Sequence, residues 1–95
     1  MPSYELVFIF NPNLTEDDFT KSLGKVNELI TKLGGTVGET NNWGKRRLAY
    51  QIKRQSEGNY VLEKVQIKQT ALKELDSALK LMEDVLRYLF IREKS

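Results

Sequence analysis

From Tyr4 to Asn11 the chain alternates Tyr4, Leu6, Phe8 and Phe10 with Glu5, Val7 and Ile9. A period of two is the signature of a strand. Both sets are largely apolar, so the pattern predicts a central strand. "NPN" (Asn11 to Asn13) is a turn signal, with proline ending the ladder. The period then lengthens. Phe19, Leu23, Val26, Ile30 and Leu33 recur at steps of three and four and mark one apolar stripe of a helix. Thr15 is placed to cap it, Asp18 follows in capping-box spacing, and Glu16, Asp17 and Asp18 complement the helix dipole. Gly34-Gly35 predicts the stop. Gly24 falls between stripe positions and costs about 1 kcal/mol against alanine.

Thr36 to about Lys53 predicts a long second strand, interrupted at Trp43-Gly44 by a bulge. Trp43 is expected to pack there rather than to stack on bases. Beyond the bulge Leu48, Tyr50 and Ile52 share one face, with Tyr50 expected in the core. Arg47, Ala49, Gln51 and Lys53 share the other. "SEGN" (Ser56 to Asn59) predicts the hairpin turn. Tyr60 to Lys68 is a third strand, with Val61, Val65 and Ile67 on one side and Tyr60, Leu62 and Lys64 on the other. A second helix runs from about Thr70 to Met82 on a stripe of Leu72, Leu75, Leu79 and Met82. Val85 to Arg92 is the last strand, followed by "EKS". The order β-α-β-β-α-β predicts an α+β, ferredoxin-like split β-α-β fold. It has one four-stranded antiparallel sheet, strands one and three central, and two helices on one face.

Length and composition narrow this further. Ninety-five residues suit one domain, 1–95, and 40% hydrophobic with 29% charged is an ordinary globular composition. There is no cysteine and no histidine, which removes disulfides, thiolate nucleophiles, the commonest general base and the commonest metal ligands. No catalytic chemistry, cofactor, metal site or small-molecule substrate is expected. The opening "MPSYELVFIFNPN" lacks the basic and cleavage regions of a signal peptide, and no apolar run approaches a membrane span. A cytoplasmic location without membrane contact is the expectation.

Two surfaces stand out. With Leu6, Phe8, Phe10, Val61, Val65, Ile67, Tyr88 and Phe90 facing the helices, the open sheet face carries Val7, Ile9, Tyr60, Leu62, Leu89 and Ile91. Soluble monomers rarely expose so large a contiguous apolar patch. It is either covered by loops or a second copy, or it docks another protein. The second surface is "NNWGKRRLAYQIKRQ", where Lys45, Arg46, Arg47, Lys53 and Arg54 lie in a stretch with no acid from Thr40 to Ser56. Residues 1 to 20 carry four acids and no base, although the net charge is only +2. Cations on an edge strand discourage edge pairing. Polarised charge with paired arginines also suits phosphate recognition, and the balance favours a surface facing polyanion. Arg87 and Arg92 could extend this track. Arg46, if it shares the Leu48 face, could instead anchor the bulge by hydrogen bonds.

Other occupants of this topology fit less well. RNA-recognition motifs stack bases on a basic-Gly-aromatic box, which "GNYVLEKVQ" lacks. Acylphosphatases need a glycine-rich anion loop after the first strand, where this chain reads the acidic "NPNLTEDD".

"WGKRRLAYQI", together with "YELVFIFNPN", "GGTV", "EGNYVL" and "VLRYLFI", resembles bacterial-type ribosomal protein six of the small subunit over nearly the whole chain. The resemblance implies a structural, non-catalytic role. It implies binding to the central domain of 16S ribosomal RNA, in the platform, as a heterodimer with small-subunit ribosomal protein eighteen. Arg46 and Arg47 match the family's paired arginines. RNA would meet the cations, Arg47, Lys53 and Arg54 foremost, and the protein partner would meet the apolar patch, chiefly Tyr60, Leu62, Leu89 and Ile91. Many family members carry a longer charged C-terminal tail. With this chain ending at Ser95, docking is expected to rest on the sheet and its rim. The alternative is a free-standing module that homodimerises or holds a small ligand through its open sheet. The cytoplasmic ribosome is the expected location, with an organellar ribosome left open.

Overall fold

The alternation along the first strand sorts side chains as expected. In the computed structural model, which describes residues 1–93, Tyr4, Leu6, Phe8 and Phe10 are buried while Val7 and Ile9 are only partly covered. Lys94 and Ser95, in the "EKS" run, lie outside the described residues. The elements are β1 (Ser3–Phe10), α1 (Glu16–Lys32), β2 (Thr36–Ile52), β3 (Gln55–Gln66), α2 (Gln69–Lys80) and β4 (Val85–Arg92). The sheet order is β2-β3-β1-β4 with every neighbouring pair antiparallel, so β1 and β3 are central. Thr15 caps α1 by accepting from the Asp18 amide at 3.1 Å.

The main core lies between the sheet and the two helices. Leu6, Phe8, Phe10, Val61, Val65 and Ile67 meet Val26 and Ile30 of α1 and Leu75 and Leu79 of α2. Each such leucine, isoleucine or phenylalanine contributes about 1.5–3 kcal/mol on burial. Polar ties fix the helices in place. Ser22 of α1 donates to Asp84 ahead of β4, and Tyr88 of β4 donates to Asp76 of α2 at 2.6 Å. Burial first, and then the Asp76 carboxylate, push the Tyr88 hydroxyl up to about 12. The Tyr88 hydrogen bond in turn holds the Asp76 carboxyl below its usual range.

The hairpin departs from expectation. The turn is not "SEGN" but Lys53-Arg54, flanked by the pair Ile52↔Gln55, and β3 begins at Gln55 rather than Tyr60. Gly58, the apparent turn residue, lies within β3. A Cβ there would overlap the Ile9 Cγ2 methyl, with Leu48 Cδ2 and the Phe10 carbonyl each 3.6 Å away. This glycine permits close approach rather than chain reversal. Tyr50 is not in the core but 64% exposed. Between the pairs Arg47↔Glu57 and Ile52↔Gln55, β2 carries Leu48 to Gln51 against Ser56 alone, so its alternation breaks there. The expected bulge at Trp43-Gly44 is present: the register shifts between Asn42 and Gly44, Gly44 has φ +77°, and its amide donates to the Asn42 side chain at 2.9 Å.

One buried group goes against the strand pattern. Glu63, between Val61 and Val65 on β3, is fully buried. It accepts from Thr40 Oγ1 at 2.9 Å and from the Asn27 amide, oriented nitrogen-first, at 2.8 Å. No cation pairs with it among the described residues. Burial pushes the Glu63 carboxyl above its usual range, opposed by those two hydrogen bonds.

Gly58→Ala should cost about 1–3 kcal/mol in urea unfolding, because the added methyl must displace Ile9. A second expectation concerns Glu63, whose proton the folded protein holds more tightly than the unfolded chain does. The stability this group contributes is therefore complete below the unfolded pKa and lost as pH rises through the folded one. Glu63→Gln, which imitates the neutral form, should gain stability relative to the parent between about pH 4 and pH 8. Urea midpoints of both proteins at the two pH values check this. A relative gain by the parent would mean that its hydrogen bonds outweigh desolvation.

Candidate nucleic-acid interface

β1 pairs with β3 only as far as Phe10↔Asn59, so the β2-β3 hairpin continues past the sheet as a two-stranded ribbon. Such ribbons are marginal in water unless something covers one face. Here Leu48 and Ile52 pack on Leu86, against Ile9 and Tyr60, and form a second small core on the open side of the sheet. Leu86 reaches this cluster because the β1-β4 register shifts between Ile9 and Phe10, whose partners are Arg87 and Val85. Leu86 is the extra residue. The ribbon therefore curls over one end of the open face.

This placement distributes the predicted cations. Arg46 is paired with Gly58 and lies on the open-face side, while Lys45 and Arg47, paired with Asn59 and Glu57, lie on the other. Arg46 makes no hydrogen bond to the bulge. Its guanidinium rests 5.4 Å from the centroid of the Trp43 ring. That ring is 45% exposed rather than packed away, and the contact is worth about 0.5–1 kcal/mol at such a site. Lys53 and Arg54 occupy the turn itself with φ +49° and +67°. Both values are left-handed, as a type I′ hairpin turn requires, although asparagine and glycine are the residues that adopt it cheaply. Arg87 joins the hairpin tip across the open face. Arg92 does not, because it pairs with Tyr4 and is separated from the tip by the length of β1.

None of these side chains has a carboxylate partner among the described residues, where the ion pairs are Lys64–Glu39 and Lys80–Asp76. The acids Glu16, Asp17 and Asp18 begin α1 at the same end of the molecule. Acids at the start of α1 and cations on the ribbon thus share one end, and the charge is not divided between opposite ends.

On the open face, registered rungs carry the predicted apolar residues. Leu62, Val7 and Leu89 form one, Tyr60, Ile9 and Arg87 the next, and Ile91 flanks Glu5. The patch is not uniformly bare. The ribbon covers part of Ile9 and Tyr60, whereas Leu89 and Ile91 are 57% and 44% exposed. A broader groove of about 810 Å³ lies between α1 and β2, with Glu28 and Lys32 among its mixed lining. No Asp/Glu cluster with metal-holding geometry occurs among the described residues, and no described helix is long and apolar enough to cross a membrane.

A split β-α-β sheet with one face open and, at its rim, a cationic ribbon without carboxylate partners among the described residues defines a small α+β protein of the ferredoxin-like class. The family described as ribosomal protein S6 matches residues 3–92. The small ribosomal subunit protein bS6 of Desulforudis audaxviator is 40% identical over 98% of this chain and 99% of its own. That of Natranaerobius thermophilus is 40% identical over 99% and 98%. The crystal structure of 30S ribosomal protein S6 from Thermotoga maritima superposes with a TM-score of 0.91 at 26% identity, covering 97% of this chain and 87% of that one. The chain belongs to the ribosomal protein S6 family, a family of small-subunit ribosomal proteins and not of enzymes.

The left-handed lysine and arginine of the turn yield a stability test. Lys53→Asn with Arg54→Gly should stabilise the protein by about 1 kcal/mol or more in urea unfolding, because the turn then suits its residues.

Proposed function

We propose that the chain is a structural constituent of the small ribosomal subunit that binds the central domain of 16S rRNA, in the platform, together with small-subunit ribosomal protein eighteen. It thereby supports subunit assembly and translation in the cytoplasm. The observation that carries this reading is the ribbon, whose cations have no acidic partner among the described residues although the net charge of the chain is only +2. Membership of a small-subunit family supports it. Lys45, Arg46, Arg47, Lys53, Arg54 and Arg87 are assigned to RNA phosphates, with Arg92 as an outlying contact. Arginine supplies a planar fork for phosphate oxygens and lysine a mobile point charge. Val7, Leu62, Leu89 and Ile91 are assigned to the protein partner, with Ile9 and Tyr60 contributing at the ribbon's edge.

Cations seated on phosphates release counterions, so affinity should fall with salt. Binding to a 16S central-domain fragment should be weak for the protein alone and tight with protein eighteen present. Arg47→Ala plus Lys53→Ala should weaken it about tenfold per cation and lower the logarithmic salt slope by about one for each phosphate left unneutralised. Filter binding or fluorescence anisotropy across a salt series measures both. Equal affinity with and without the partner would refute cooperative docking, and indifference to the cations would refute the RNA assignment.

A further inference from the structure

We propose that the cleft between the hairpin tip and the start of β4 is a single phosphodiester-binding site, in which Lys53 and Arg87 act as a pair on one RNA phosphate. This rests on the rRNA-binding reading and specifies how one part of that surface works. β2 and β4 are opposite edges of the sheet, with β3 and β1 between them. In a flat sheet they would be about 14 Å apart at three strand spacings. Instead Gln51, Ile52 and Lys53 line the same cleft as Leu86, Arg87 and Tyr88, with a volume of about 550 Å³.

Separate features of the backbone converge on this juxtaposition. Gly58 lets the ribbon cross Ile9 without a Cβ in the way. The β1-β4 irregularity inserts Leu86, which meets Leu48 and Ile52 under the tip. The left-handed turn places Lys53 at the ribbon's end, next to the cleft that Arg87 shares. Apolar packing beneath thus fixes two cations above that are remote in sequence and on opposite sheet edges.

The chemistry of the cleft selects its occupant. Neither Lys53 nor Arg87 has a carboxylate partner among the described residues, and two like charges on one small cleft repel until an anion enters. The Tyr88 hydroxyl is already committed to Asp76, so the cleft's side-chain donors are the two cations and the neutral Gln51 amide, and only the cations carry charge. A phosphodiester has one negative charge and two non-bridging oxygens, which allows the Arg87 fork and the Lys53 ammonium to engage it together. Base recognition is not required. Such a site would bridge ribbon and sheet and lock the tip when RNA is bound.

A double-mutant cycle tests the pairing, using the full chain with its protein partner and a 16S central-domain fragment. Lys53→Asn removes the charge while suiting the left-handed turn, and Arg87→Gln removes the other. Each should weaken binding about tenfold, but the double variant should fall only about ten- to twentyfold rather than the roughly hundredfold expected of independent sites. Lys53→Asn with Arg47→Gln, which does not line the cleft, should multiply. Leu86→Ala leaves every cation in place and should abolish the Lys53–Arg87 coupling. Circular dichroism checks that each variant folds, and Ile52→Val serves as the milder probe should Leu86→Ala unfold. Multiplying losses for Lys53 and Arg87 in the parent background would overturn the shared site while leaving the RNA assignment intact. If none of the cation variants changed binding, both readings would fall.

Discussion

The ribbon half of this molecule depends on a close approach that admits no side chain. Where β3 passes Ile9 there is room for Gly58 and not for a Cβ, and the hairpin leans onto the open sheet at that point. A free two-stranded ribbon would hold its cations loosely. Leu48 and Ile52 closing on Leu86 give this one a floor, so Lys53 and Arg54 extend from a supported turn. The main core, between helices and sheet, takes no part in that floor. It supplies the rigid frame of β1, β3 and β4 on which the smaller cluster is built.

The frame contains its own conflict. Glu63 occupies a position that the strand pattern reserves for an apolar side chain, and it is buried without a cation among the described residues. Its hydrogen bonds explain why it is tolerated. Thr40 comes from the edge strand β2 and Asn27 from α1, so one carboxylate ties together two elements that share little apolar packing with each other. A valine there would remove the desolvation cost but leave the Thr40 hydroxyl and Asn27 amide without that acceptor. The groove beside Asn27 marks the same weakness, since neither helix fills the space against β2.

Most of the architecture is legible in the sequence because strand and helix periods are strong signals. Val85–Arg92 falls where the pattern places it, and the Thr15 cap, the central strands and the Trp43-Gly44 bulge are all readable. The errors concentrate in the ribbon. Its turn carries lysine and arginine, which give no turn signal, while the nearby glycine gives a false one. Alternation misplaces Tyr50 because it does not survive a stretch where four β2 residues face a single β3 residue. Composition finds the cations but not their grouping. Nothing in "VLRYLF" announces that Leu86 is an inserted residue, so neither the small cluster nor Arg87's approach to the tip can be read in advance. A lone tryptophan usually packs, and no sequence signal specifies Arg46 as the partner of Trp43.

The two proposed surfaces are not separate patches on a passive scaffold. β4 contributes Arg87, Leu89 and Ile91 in succession to the open face, so polar and apolar side chains follow one another along a single strand. Ile9 likewise lies under the ribbon while its neighbour Val7 is on the Leu62–Leu89 rung. A protein covering that rung would abut the cluster that supports the hairpin tip, and would restrict the tip before any RNA arrives. Ordering a loop in advance lowers the entropy cost left for the next ligand. Cooperative binding of protein and RNA then needs no large conformational change. It needs only that apolar side chains run beneath both, and the Val7–Leu89 rung lies next to the rung of Ile9, which packs on the Leu48 cluster.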